Sequence, residues 1–78
     1  MGWVCYLLRC ADDTFYCGIT NDMEKRLAAH NAGEGAKYTR GRLPVKVAYS
    51  ESCADKSAAL KRELQIKGLS RAAKEALL

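Results

Sequence analysis

The chain has 78 residues, of which 49% are hydrophobic and 28% charged, with six glycines and one proline. That composition excludes a disordered or collagen-like chain, and no apolar run approaches the ~18 residues of a membrane span. Thirteen Lys and Arg against nine Asp and Glu give a net charge of +4, and the length predicts one small domain, residues 1–78, with no separate recognition domain.

Trp3 to Arg9 is almost uniformly apolar, which predicts a strand covered on both faces. Ala11-Asp12-Asp13-Thr14 is turn chemistry, because Asp side chains bond back to nearby backbone. Phe15 to Thr20 reads as a second strand, so the first twenty residues form a hairpin. Asn21 or Asp22 caps a helix running to about Asn31, with Met23, Leu27 and Ala28 setting its apolar side. Ala32-Gly33-Glu34-Gly35 stops it. Lys37 to Leu43 is a basic loop, and Pro44 to Ser50 is a third strand in which Val45, Val47 and Tyr49 alternate with Lys46 and Ala48. Asp55 or Ser57 opens a helix with the stripe Ala59, Leu60, Leu64 and Ile66, ending at Gly68. Ser70 caps a last short helix. The predicted class is α+β, a three-stranded antiparallel sheet flanked by helices in the order β-β-α-β-α-α.

The charge excess is local. Lys37, Arg40, Arg42 and Lys46 lie between Gly35 and Ser50 with no acidic residue among them, and the rest of the chain holds nine basic and nine acidic side chains. The segment reads either as a solvated loop or as an electrostatic footprint for a phosphate backbone. Cys5, Cys10, Cys17 and Cys53 contain no C-x-x-C pair, and Met1 to Arg9, without a basic n-region or cleavage site, is not expected to act as a secretory signal. The expectation is a cytoplasmic protein with reduced thiols acting as small hydrophobes, and no membrane partner.

Cross-strand spacing that sets Cys10 against Thr14 sets Tyr6 opposite Gly18, with Tyr16 on the same face as Tyr6. Gly18 then leaves open space above Tyr6. Arg26 and His30 are four apart on a helix and share a face, an arrangement suited to a phosphate oxyanion or to an ordinary helix terminus. Glu63 lies beside the apolar stripe of the second long helix, where it can also pair with Lys67. Together these supply two phenols, a guanidinium, an imidazole and a carboxylate in one same-face set beside a basic loop.

Tyr6, then Tyr16-Cys17-Gly18, then Arg26, His30 and Glu63 resembles the pattern of the GIY-YIG nuclease superfamily, over roughly Val4 to Lys67. The run Gly33 to Gly41, followed by Ser57-Ala58-Ala59-Leu60, is similar to its compact stand-alone bacterial members, the YhbQ-like group, and to the catalytic domain of nucleases that cut branched DNA. The resemblance implies a nuclease using one divalent ion, Mg2+ or Mn2+, held by Glu63 on the scissile phosphate. It implies that Tyr6 helps activate the attacking water, that Tyr16 orders the site, that Arg26 neutralises phosphoryl charge, and that His30 assists proton transfer or contacts phosphate. Charge stabilisation at a pentacovalent phosphorus plus an in-line nucleophile is what such a set provides. Lys37, Arg40, Arg42 and Lys46 are the expected DNA contacts, with Tyr38 available for stacking.

The chain departs from the pattern at Val4-Cys5, in place of Gly and Ile, and at Ile19, where some members carry a lysine. The polar residue that larger members use after the metal carboxylate has no counterpart up to Leu78. A chain of this size holds no sequence reader, so DNA structure, ends or single-strand character is the expected determinant, with a protein partner as a second source of specificity. The alternative is a weak or inactive module of the same fold that binds nucleic acid or protein.

Overall fold

The computed structural model describes residues 2–78. Trp3–Arg9 (β1) and Phe15–Thr20 (β2) pair antiparallel with Tyr6 opposite Gly18, the register that the turn chemistry predicts. The Cys10 amide donates to the Thr14 carbonyl at 2.8 Å, and the Asp12 carboxylate accepts from the Thr14 amide at 3.2 Å and its hydroxyl at 2.6 Å. Asp13 adopts φ 67°, a left-handed conformation that a short polar side chain tolerates.

Met23–Asn31 (α1) is capped by Asp22, whose carboxylate accepts from the Lys25 amide. Lys37–Arg40 (α2) is a single helical turn where the sequence predicts loop. Gly35 and Gly41 bound a stretch free of helix breakers, and the Thr39 amide closes the turn on the Ala36 carbonyl at 3.1 Å. Lys46–Cys53 (β3) begins two residues after Pro44 and ends three after Ser50. Its start is delayed because Val45 is tied to the end of α1: the Asn31 side chain accepts from the Val45 amide at 2.8 Å and donates to its carbonyl at 3.0 Å. Its end is extended because Cys53 pairs with Trp3. Lys56–Lys67 (α3) is capped by Asp55 and Arg71–Glu75 (α4) by Ser70. The α+β order β-β-α-β-α-α therefore holds, with the turn of α2 added before β3.

The sheet order is β2-β1-β3, so the apolar run of β1 is central and β2 is an edge strand. Tyr6, Leu8, Cys10 and Val45 form a core on one face with Tyr16, Met23 and Leu27. Cys5, Leu7, Cys17 and Ile66 form the other, with Phe15, Ile19, Tyr49, Leu69 and Leu77. A register shift between Leu7 and Leu8, which face Tyr49 and Val47, splits the alternating stripe of β3 between the two faces. The stripe of α3 is also corrected. Ala59 and Ile66 are buried, whereas Leu64 is 71% exposed and Leu60 is exposed as well. The helix turns the Ala59–Ile66 line, two turns apart, onto the sheet, and full burial of Ile66 contributes about 1.5–3 kcal/mol.

All four cysteines are free. Cys5 and Cys17 place their sulfurs 3.9 Å apart, and burial, reinforced by the neighbouring Cys17, pushes the Cys5 thiol up to about 12. Cys5 and Cys17 pack as small apolar groups in the core that also holds Leu7 and Ile66. Among the described residues no helix is long and apolar enough to cross a membrane.

Candidate active site

The tyrosine face of the sheet gathers most of the predicted set. Tyr6 is 1% exposed, and its ring lies over Gly18, where an added Cβ would meet the Tyr6 hydroxyl at 2.5 Å and Cζ at 2.7 Å. The space expected to be open above Tyr6 is therefore filled by the phenol itself. Tyr16, half-buried on the same face, meets the edge of the His30 ring at 5.4 Å between centroids and stacks on Tyr38 at 6.0 Å.

His30 sits on the inner line of α1 with Met23 and Leu27, and is 0% exposed. At that burial the ring does not reach the surface. Its Nε2 lies 3.1 Å from the Tyr6 hydroxyl and its Nδ1 2.9 Å from the Thr39 hydroxyl oxygen. The Thr39 hydroxyl spends its one proton on the Ala36 carbonyl at 2.9 Å. It must then accept from Nδ1–H, which leaves Nε2 of the neutral ring as acceptor and Tyr6 as donor. Gly35 completes the enclosure, since a Cβ there would lie 2.9 Å from the His30 backbone and closer still to its ring. Thr39 and Gly35 are site residues that sequence reasoning missed. The signal for Thr39 was a hydroxyl three residues after Ala36 in a helical turn, able to bond back to that carbonyl; Gly35 left none.

Burial first, and the Arg26 charge second, hold the His30 imidazole below its ordinary basicity. The unfolded chain binds a proton near pH ~6.5 that the folded chain refuses, so the stability is full above that pH and falls as pH decreases, by at most about 1.4 kcal/mol per unit. Thermal melts at pH 7.5 and 5.5 are expected to show a lower Tm at 5.5, with the difference reduced in His30→Gln. Equal differences in the two proteins would show that another group sets the dependence.

Burial raises the Tyr6 phenol above its ordinary value, and the adjacent Arg26 guanidinium counters part of the rise. Arg26 is half-buried beside a cleft formed with Thr20, Asp22 and Lys25. It shares its helix with His30 but reaches solvent where His30 does not.

The basic segment divides on folding. Arg42 donates to Asp12 at 2.9 Å and to the Tyr38 carbonyl at 2.7 Å, and its guanidinium lies 4.0 Å from the centre of the Tyr38 ring. Asp12, distant in sequence, supplies the carboxylate that the segment lacks, so Arg42 positions Tyr38 and is not a free cation. Tyr38 is 40% exposed, with its ring already engaged by Tyr16 and Arg42. Lys37 and Arg40 are exposed on α2. Lys46 lies apart from them, lining a cleft with Arg9, Asp13 and Pro44.

Glu63 stands on the other side of the sheet. Its backbone carbonyl accepts from the Cys17 thiol at 4.0 Å, and Cys17 points away from the tyrosine face. The expected same-face set is thus corrected: the tyrosines, His30 and Arg26 converge on one face, and Glu63 approaches the edge strand from the other. Its side chain is 17% exposed and pairs with Lys67 at 3.6 Å. Among the described residues no group of three His, Cys, Asp or Glu could hold a metal. A lone half-buried carboxylate fits a hard divalent ion that keeps most of its waters, and does not fit a four-ligand zinc or all-protein calcium cage.

The family model described as "GIY-YIG catalytic domain" matches residues 2–76. A UPF0213 protein of Halobacterium salinarum is 57% identical over 72 residues, covering 92% of this chain and 94% of its own. The solution NMR structure of a UPF0213 protein from Bacillus halodurans superposes with a TM-score of 0.61 at 40% identity, covering 99% of this chain and 82% of that one. A second NMR structure, of a protein from E. faecalis, gives a TM-score of 0.66 at 41% identity, with 97% and 81% covered.

Proposed function

The chain belongs to the GIY-YIG family, a superfamily of nucleases, and from that membership we propose that it hydrolyses DNA phosphodiester bonds, directed by DNA structure or ends and not by sequence. The observation that carries this reading is the buried hydrogen bond from Tyr6 to His30 Nε2, with the tautomer set by Thr39. A phenol whose proton already points at a neutral imidazole is prepared to exchange it. The attacking water gives its proton to the Tyr6 oxygen as Tyr6 gives its own to Nε2. The water oxygen bonds to phosphorus, and the leaving oxygen departs with the electron pair of the broken bond. Ordinary values of ~10 and ~6.5 already put the phenol-to-imidazole transfer about 5 kcal/mol uphill, and burial of both groups adds to that cost, so positive charge near the phenol is required. Arg26, beside that oxygen, supplies part of it. From that place it draws the phosphate to the phenol and neutralises charge on the phosphoryl oxygens. Tyr16, which reaches the surface, orders the water.

Glu63 would hold one divalent ion, magnesium or manganese, and when bound that ion supplies Lewis-acid stabilisation of the phosphoryl oxygens. Lys37 and Arg40 supply exposed positive charge for the DNA backbone, and Lys46 is a separate, more distant contact.

The second reading, binding without turnover, is favoured by the placement of Glu63 across the sheet from the tyrosines and by its pairing with Lys67. End-labelled single-stranded, duplex and branched DNA incubated with magnesium separates the two. Cutting of at least one substrate, lost with EDTA and reduced at least ~100-fold in Glu63→Gln, is the expected result. Cutting that survives both treatments would sink the metal-dependent mechanism, and retention of DNA without any cutting would establish the second reading.

A further inference from the structure

One groove wraps the outer edge of β2. It is lined by Phe15, Tyr16, Cys17, Tyr38, Lys67 and Lys74, with a volume of about 370 Å3. Phe15 and Cys17 point to the α3 face and Tyr16 to the tyrosine face. The groove therefore opens onto both faces of the sheet, with Tyr16 on one side and Lys67, the partner of Glu63, on the other.

Its charge comes from outside the basic segment. Lys67 is half exposed, and it reaches Glu63 only at 3.6 Å, longer than a charge-assisted hydrogen bond of about 2.7–2.9 Å. Lys74 is half-buried and, among the described residues, has no acidic partner. The neighbouring Glu75 is taken by Arg71 at 3.3 Å. Both ammonium groups act on the Cys17 thiol at the groove floor, offsetting part of the rise that burial causes. The aromatic walls offer little open ring face. Tyr38 is engaged by Tyr16 and Arg42, and Phe15 has the guanidinium groups of Arg9 and Arg71 each 5.1 Å from its centre. An occupant is therefore held by charge and by shape, and much less by base stacking. A volume of about 370 Å3, at the small-ligand end of the usual range, takes a short stretch of one strand's backbone.

We propose that this groove seats the sugar-phosphate backbone of one unpaired DNA strand, with Lys67 and Lys74 contacting successive phosphates as the strand crosses the β2 edge. The proposal rests on the nuclease reading and assigns its substrate a single-stranded segment at the site. It also accounts for Lys67 standing beside Glu63: a phosphate entering the groove gives the ammonium a second anion to face.

Fluorescence anisotropy of fluorescein-labelled oligothymidine in EDTA tests binding without turnover. Lys74→Gln is expected to weaken binding about three- to tenfold and to reduce the slope of log affinity against log salt by about 0.7, the value for one single-strand phosphate contact. Lys74→Arg is expected to restore both, whereas Lys61→Gln, which removes an exposed charge from α3 outside the groove, leaves the slope unchanged. An unlabelled duplex of the same length is expected to compete less well than the single strand. If the wild type binds and Lys74→Gln matches Lys61→Gln, or the duplex competes equally, the groove assignment is overturned and the nuclease reading stands. If the wild type fails to bind any DNA, both fall.

Discussion

Tyr6→Phe is expected to lower the rate of DNA cleavage by about 10²- to 10⁴-fold, the range for loss of a positioned proton-transfer group. The substitution keeps the ring over Gly18 and removes only the oxygen. It should also destabilise the fold, because Nε2 of the buried His30 loses its donor and water cannot replace it. An orphaned buried acceptor costs about 1–3 kcal/mol, or roughly 5–15 °C in Tm for a domain of this size. Rates measured well below the lowered Tm separate the two effects. Near-native cleavage by a folded Tyr6→Phe protein would reduce Tyr6 to a packing residue and shift the candidate base to Tyr16, the phenol that reaches the surface.

Gly35→Ala is the substitution with the largest expected effect on stability. The added methyl would lie 2.9 Å from the His30 backbone Cα and 2.7 Å from ring Cγ. The backbone Cα belongs to α1 and cannot yield as the end of a long side chain can. Relief requires moving the end of α1 from Gly35, with the hydrogen bonds to Tyr6 and Thr39 at risk. Overpacking together with strained buried polar groups amounts to about 3 kcal/mol or more, against a total stability on the order of 5 kcal/mol for a domain of this length. Denaturant melts should show a large fall in midpoint for Gly35→Ala. Gly41→Ala, where a Cβ meets nothing within 4 Å, should stay within about 0.5 kcal/mol of wild type. Equal midpoints for the two variants would show that the loop adjusts and that the enclosure of His30 is soft.

The two substitutions act on the same buried unit, and that unit was only partly legible in the sequence. Tyr6, Tyr16 and His30 announced themselves by type and spacing, and the hairpin register followed from alternation plus Asp-rich turn chemistry. Thr39 did not stand out, because a threonine in a basic stretch reads as solvated until the turn of α2 folds its hydroxyl back onto Ala36. Arg42 read as a phosphate ligand because its carboxylate partner, Asp12, lies in the hairpin turn. Leu64 read as core because a helical stripe has two candidate edges, and the sheet selects one of them.

What the sequence determined by itself is local. The hairpin, the Asp22, Asp55 and Ser70 caps, and the central, doubly covered β1 each rest on side chains and backbone only a few residues apart, so the physical cause is contained in a short window. What the tertiary structure alone decided is which groups meet across long separations. The Tyr6–His30 bond spans 24 residues, the Arg42–Asp12 pair 30, and the Cys17–Glu63 contact 46. Closing such loops is set by how the two cores pack against one three-stranded sheet, not by propensity. That packing buries His30 as a hydrogen-bond acceptor from Tyr6, pairs one arginine of the basic segment with Asp12, and brings Glu63 to the edge of β2 from the face opposite the tyrosines.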